Sequence, residues 1–113
     1  PNVNHWYDIA TGKSGIHFSL QVRFTYGEDV GCELYIRDSK DLFHSLHKEK
    51  VQIESIIGKK LEWNELPEAK ASRIILIGKI DPNEEDNLDK CFKWYSEILE
   101  KFREAFVPRL KNL

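Results

Sequence analysis

Apolar and polar residues alternate without interruption along residues 16–26, the most regular stretch of the chain. A repeat of two residues is typical of a β-strand with one side buried and the other side in water. His17 and Arg23 are among the residues on the polar side of this predicted strand. Its apolar side consists of Ile16, Phe18, Leu20, Val22, Phe24 and Tyr26.

The same alternation resumes over residues 30–37, after a turn that contains Gly27. Glycine accepts the positive φ angle that tight hairpin turns require. Val30, Cys32, Leu34 and Ile36 continue the apolar side, and Glu33, Tyr35 and Arg37 continue the polar side. The two arms therefore predict one antiparallel hairpin with a face to be covered and a face left polar.

Three further strands are predicted, at residues 5–11, 59–63 and 71–80. The last contains four consecutive apolar residues from Ile74 to Ile77, a run typical of a strand that is central or covered on both faces. One helix is predicted over residues 39–57, with Asp38 or Ser39 as its cap. A second is predicted to begin at Pro82 and Asn83, with a break or kink at Pro108.

These elements predict an α+β fold. Its order along the chain is three strands, a helix, one or two further strands and a final helix (βββα-β(β)-α). An antiparallel sheet of four to five strands carries both helices on one face, because the hairpin has only one continuous apolar side. A length of 113 residues suits a single domain spanning residues 1–113. Because the chain opens on Pro1 and contains no methionine, we expect it to be part of a longer protein.

Composition narrows the classes of function. Seventeen basic residues against 19 acidic ones give a net charge of -2, which argues against a generally cationic nucleic-acid binder but leaves room for a local patch. Cys32 and Cys91 are isolated and fall on apolar faces, so we expect reduced thiols and a cytoplasmic protein. The sequence has no apolar run long enough to cross a membrane, so we expect no membrane partner.

Several patterns suggest a cofactor or a metal and fail on their spacing. The Gly-Lys-Ser at Gly12 lacks the earlier glycine and the following helix of a phosphate-binding loop. His44 and His47 share one flank of a predicted helix, but no further zinc ligand lies near them in sequence. The acidic residues 81–86 lack the glycine and the closing glutamate of a calcium loop. We therefore expect neither a cofactor nor a metal.

A metal-dependent nuclease needs converging carboxylates followed by a lysine. Asp29 and Glu33 supply the carboxylates, but Tyr35 occupies the lysine position, and Asp29 falls in the turn. No serine, cysteine or histidine combination typical of a hydrolase is present either. We therefore expect no catalytic residues and no nuclease activity in this chain.

Two surfaces remain as candidates for binding. The polar sheet face predicts weak, salt-sensitive nucleic-acid contacts through phosphate binding and stacking. The alternative is an ordinary solvated face on which Arg23 pairs with Glu33. The candidate nucleic-acid residues are His17, Arg23, Tyr35, Arg37 and Arg73.

The second candidate surface is apolar. On the strand at residues 71–80, alternate positions place Ile75 and Ile77 away from the side that the helices are predicted to cover. Trp94 lies near the edge of the apolar stripe of the last helix. These three residues predict docking with a second copy or with the rest of the parent chain.

Short pieces spread over nearly the whole chain carry a resemblance to a known family, and the region around Leu61, Glu62 and Trp63 is the most specific of them. The pieces are residues 11–19, 33–36, 43–46, 53–54, 58, 61–63, 71–74 and 102–110. The pattern resembles domain of unknown function family 4268, a family of bacterial and archaeal domains. The resemblance implies the C-terminal part of a longer protein, sometimes downstream of a restriction-nuclease-like segment, and hence an accessory binding role in DNA processing or defence. The alternative is an interaction or self-association domain with no nucleic-acid role.

Overall fold

A computed structural model describes residues 5–23, 29–80 and 87–111 of the chain. The predicted α+β class with an antiparallel sheet is confirmed. Five strands pair in the order β1-β2-β3-β5-β4, so β5 lies between β3 and β4. The strands are β1 (His5–Lys13), β2 (Ile16–Arg23), β3 (Asp29–Ile36), β4 (Glu62–Asn64) and β5 (Ser72–Gly78).

The register of the central strands separates the two faces of the sheet. Phe18 on β2 lies opposite Leu34 on β3, and Leu34 lies opposite Ile74 on β5. Residues that are directly opposite in antiparallel strands point to the same side. The apolar positions of all three strands therefore form one continuous surface, which becomes the core.

The helix predicted over residues 39–57 is divided into α1 (Lys40–Lys48) and α2 (Lys50–Ile57). The break falls at Glu49, whose φ of -103° and ψ of 20° are not helical. Neither glycine nor proline lies near this position, so the sequence carries no local signal for the break. Ser39 Oγ accepts a hydrogen bond from the Leu42 N–H at 3.2 Å, and Gly58 ends α2 with a φ of 82°.

The division changes which apolar residues of α2 enter the core. Ile53 and Ile57 are buried, whereas Val51 and Ile56 are exposed. A single helix over residues 39–57 would place Ile56 in the same buried stripe as Ile53 and Ile57, and the exposure of Ile56 shows that this prediction is wrong. Because Glu49 is not helical, the 3.6-residue repeat of α1 is interrupted there, and its apolar stripe does not continue into α2.

The last helix, α3, covers Leu88–Leu110. Its expected start at Pro82 and Asn83 lies outside the described residues. The helix does not end at Pro108 but continues to Leu110, because proline stands in the final turn and the buried Phe106 and Leu110 hold that turn against the core. Arg109 Nη1 also donates a hydrogen bond to the Ala105 carbonyl at 2.8 Å.

All three described helices pack on the apolar face of the sheet. The centre of this layer is aromatic, with the rings of Phe18 and Phe102 meeting edge to face at 6.3 Å between centroids. The Tyr95 hydroxyl of α3 donates a hydrogen bond to the Gln21 carbonyl of β2. Cys32 and Cys91 are buried and are not joined by a disulfide, and burial, followed by the nearby Glu33, raises the pKa of Cys32. No described helix is both long and apolar enough to cross a membrane.

Candidate binding site on the open sheet face

The face of the sheet opposite the helices carries two neighbouring rows of side chains that cross all five strands. The first row consists, in strand order, of Ala10, His17, Tyr35, Arg73 and Asn64. The second row consists of Asp8, Ser19, Glu33, Ile75 and Glu62. No described helix packs on this surface, which we call the open face.

Three side chains of the first row stack against one another, and we call them the aromatic row: His17, Tyr35 and Arg73. The His17 and Tyr35 ring centroids are 4.9 Å apart, with 31° between the ring planes. The guanidinium carbon of Arg73 lies 5.2 Å from the Tyr35 centroid, within the range of a cation–π contact. Asp8 Oδ1 lies 3.5 Å from His17 Nε2 at the β1 end of the row.

The side chains at the centre of the second row are more deeply buried than those of the first row. Glu33 has 1% of its side chain exposed, and Ser19 beside it is also buried. Together with Asp8 and the aromatic row they line a depression of about 320 Å³, which we call the Glu33 recess. This volume is at the lower end of the range of small-molecule sites, about 300–1,000 Å³.

Only one of the two carboxyl oxygens of Glu33 is satisfied. Gln21 Nε2 donates a hydrogen bond to Oε1, and Arg73 Nη1 lies 3.5 Å from the same oxygen. Oε2 is buried and has no hydrogen-bond partner among the described residues. Burial raises the pKa of Glu33, although the positive charges of Arg73 and His17 act to lower it. A buried acceptor without a partner is unfavourable and rare in folded proteins.

The recess therefore offers both hydrogen-bond donors and hydrogen-bond acceptors within one small site. Arg73 and His17 offer N–H donors at the rim, while Asp8 and Glu33 offer acceptor oxygens. Such a site fits a ligand that carries both acceptor or anionic groups and N–H donors. Among the residues that the structure describes, no group of three or more histidine, cysteine or acidic side chains could hold a metal ion.

The structure brings together three of the five residues predicted to contact nucleic acid. His17, Tyr35 and Arg73 meet on the open face, whereas Arg37 lies apart and lines a cavity with Lys13 and Ser39 beside the start of α1.

The fifth of these residues, Arg23, stands at the end of β2 opposite Asp29, and its side chain lies outside the described part of the chain. The alternative pairing of Arg23 with Glu33 does not follow from this register. Glu33 lies opposite Ser19 and contacts Gln21 and Arg73 instead.

The three residues of the predicted interaction surface are divided between two sides of the sheet. Ile75 and Ile77 are partly buried on the open face. Trp94 packs on the helix side, where a Cβ atom on Gly78 would come within 2.6 Å of its ring. These residues therefore do not form one surface, and Trp94 contributes to packing between α3 and β5.

The structure also places the two other motifs that the sequence offers, the Gly-Lys-Ser-Gly stretch and the histidine pair of α1. The Gly-Lys-Ser-Gly stretch begins at the end of β1, and its last two residues, Ser14 and Gly15, form the turn to β2, so a strand follows it and not a helix. His44 Nε2 lies 3.0 Å from Glu65 Oε2, and the His47 ring is 5.3 Å from the Trp63 ring. Both histidines lie on α1 near the connection that leads from β4 to β5.

Sequence reasoning missed Asp8 and Ser19 as members of the site, and it assigned Glu33 to a rejected nuclease pattern and to a pairing with Arg23. Asp8 comes from β1 and Arg73 from β5, and their distance from Glu33 depends on which strands are neighbours. Glu33 follows the alternation of its strand, so the sequence carries no local signal for its burial. Burial of that glutamate becomes visible only once its neighbours are placed.

Comparison with known proteins identifies the family to which the chain belongs. The model of one family, described as Domain of unknown function (DUF4268), matches residues 1–110. Searches of curated proteins and of solved structures found no significant match.

Proposed function

The chain belongs to the DUF4268 family, and we propose that it is a non-catalytic domain that binds single-stranded nucleic acid on its open face. Its setting in this proposal is a cytoplasmic, prokaryotic protein of DNA processing or defence that contains a restriction-nuclease-like segment. The family resemblance supports the setting, and the side chains of the open face support the binding.

The aromatic row is the observation that carries this proposal. Proteins that bind single strands combine positive side chains, which contact phosphates, with aromatic rings, on which bases stack. Arg73, Tyr35 and His17 place both kinds of group side by side on three adjacent strands. A rigid sheet holds them in position, so little conformational entropy is lost when a strand binds.

The charges of the molecule limit the affinity. A net charge of -2 provides no long-range attraction for a polyanion, and Asp8 and Glu33 lie close to the row. Arg73 keeps 41% of its side chain exposed, so it can reach a phosphate while it remains over Tyr35. We therefore expect weak binding that decreases further with salt, because few phosphates are neutralised.

Fluorescence anisotropy with a short labelled single strand tests the proposal. We expect Tyr35→Ala and Arg73→Ala each to weaken binding about ten-fold, since one base stack contributes about 1–3 kcal/mol. Arg103→Ala is the matched control, because Arg103 is exposed on α3, away from the open face. Duplex DNA should bind less well than the single strand, because its bases are not available for stacking.

Two results would contradict nucleic-acid binding at this face. One is an affinity that Tyr35→Ala and Arg73→Ala leave unchanged. The other is an affinity that does not respond to salt, since a contact to phosphate releases counterions. Circular dichroism on each variant establishes that the fold is retained before affinities are compared.

A second candidate function is self-association without any role for nucleic acid. Ile75 and Ile77 favour it, because both lie on the open face and neither is fully covered by the described residues. Ile77 Cδ1 and the Gln21 side chain both come within 4 Å of the place where a Cβ on Gly31 would stand, so Ile77 packs beside Gly31 on the open face. A second copy covering this area would remove apolar surface from water.

A further inference from the structure

Glu33 occupies an unusual position for a residue of an open sheet face. Its neighbours across the sheet are Ser19 and Ile75, and its side chain is almost fully buried although no helix covers it. Gln21 and Arg73 both approach Oε1, which leaves Oε2 buried without a partner among the described residues. An acceptor in this state is stabilised by any ligand that brings an N–H group into the recess.

We propose that the Glu33 recess recognises a nucleobase through its exocyclic amine, and that cytosine is the base that it prefers over uracil. Glu33 Oε2 accepts a hydrogen bond from the amine, and the base lies against the aromatic row. The inference rests on the proposed function, and it adds the chemical identity of the group that enters the site.

The acceptors of the recess determine which edge of a base fits. Glu33 and Asp8 both present carboxyl oxygens to the recess. The N4 amine of cytosine has two N–H donors, and recognition of this amine by a glutamate or an aspartate is an established pairing in nucleic-acid complexes. Uracil has a carbonyl oxygen at the same place, which would face these carboxyl oxygens without a hydrogen bond.

The guanidinium group of Arg73 argues against a cation as the ligand of Glu33. Arg73 Nη1 is 3.5 Å from Glu33 Oε1 and already supplies a positive charge beside this carboxyl group. An ammonium group or a metal ion entering the recess would meet this positive charge at short range. A neutral amine offers the missing donor without that repulsion.

The rim of the recess can also contact the phosphate of a nucleotide. Arg73 borders the recess and is partly exposed, so its remaining N–H groups can reach a phosphate oxygen. With the base in the recess and its phosphate at Arg73, the amine of the ligand meets a carboxyl oxygen, and a phosphate oxygen meets an N–H group. This arrangement requires an unpaired base, because pairing would occupy the amine.

Binding of short oligodeoxycytidine and oligodeoxyuridine strands, compared by anisotropy at mildly alkaline pH, tests the inference. The two ligands differ mainly in an amine or a carbonyl at position 4 of each base. We expect the 113-residue chain to bind the cytosine strand about ten-fold more tightly, which corresponds to one hydrogen bond to a charged group.

Glu33→Gln is the informative variant, because glutamine keeps the size of the side chain and offers both a donor and an acceptor. It should bring the affinity ratio of the two strands close to one, because its amide can accept from the amine of cytosine and donate to the carbonyl of uracil. Glu62→Gln is the matched control, since Glu62 lies in the same row but is exposed at the edge of the sheet. This control should keep the preference for cytosine.

The possible failures are distinguishable. Equal binding of both strands by the unchanged chain, with both weakened by Tyr35→Ala, overturns recognition by Glu33 and leaves the proposed function standing. A ratio that Glu33→Gln does not alter, or a variant that loses both ligands equally, also overturns it. Absence of binding to either strand overturns the inference and the proposed function together.

Discussion

At the scale of single residues, Glu33 is the position where sequence pattern and structure differ most. The alternation of β3 places it on the polar side, where a glutamate is normally hydrated. In the structure the side chains of adjacent strands surround it, and one of its oxygens has no described partner. A buried acceptor without a partner lowers the stability of the fold, and binding sites commonly contain residues of this kind.

The raised pKa of Glu33 makes a prediction about stability. The folded chain keeps the Glu33 proton at pH values where the unfolded chain, with an ordinary value near 4.5, has lost it. The contribution of Glu33 to the free energy of unfolding therefore falls as pH rises from about 4.5 through the raised folded value. Glu33→Gln does not titrate, so its stability relative to the unchanged chain should increase over this range.

Urea denaturation of both proteins at a series of pH values measures this difference. Asp8, His17 and Arg73 are present in both proteins, so the difference reports the carboxyl group of Glu33 together with its interactions with these three neighbours. Glu62→Gln serves as the control and should show a difference that does not vary with pH. A flat difference for Glu33→Gln would mean that its carboxyl group ionises in the folded chain as it does in the unfolded one.

At the scale of secondary-structure elements, Lys40 joins the start of α1 to the connection between β4 and β5. Its Nζ atom donates hydrogen bonds to the carbonyl of Glu65, to those of Leu66 at 3.1 Å and Ala71 at 2.8 Å, and to Ser72 Oγ at 3.0 Å. Leu66 has a positive φ of 56°, which is uncommon for a residue other than glycine. The ammonium group thus stabilises a loop conformation that the backbone alone does not favour.

Lys40→Met should destabilise the fold by about 2 kcal/mol, because several partly buried carbonyl groups lose their donor while the apolar stem is retained. The loss is measured as a shift in the urea midpoint. Lys48→Met, an exposed position in the same helix, is the control and should change stability by less than about 0.5 kcal/mol. Similar midpoints for the two variants would show that water replaces the ammonium group at little cost.

At the scale of the whole molecule, the three described helices cover one face of the sheet, and no described helix covers the other face. The Glu33 recess and the isoleucine pair share that open face, since Ile75 lies directly opposite Glu33. A partner that covered Ile75 and Ile77 would therefore also obstruct the recess. Self-association and nucleic-acid binding through this face exclude each other.

Light scattering tests this competition. We expect the mass to rise above 13.3 kDa with concentration, and an added single-stranded oligonucleotide to reverse the rise. Ile77→Lys should remain a monomer at all concentrations because a charge then occupies the contact. Val51→Lys is the matched control, since Val51 is exposed on α2, away from the open face. A chain that is monomeric at every concentration would exclude self-association.

The sequence by itself determined the strands, the polarity of each face and the position of His17, Tyr35 and Arg73 on the polar side. These properties follow from local periodicity, which each segment carries without reference to the others. The insertion of β5 beside β3, the break at Glu49 and the burial of Glu33 were decided only by tertiary structure. They depend on which strands and helices pack together, and that choice minimises the free energy of the whole chain rather than of any one segment.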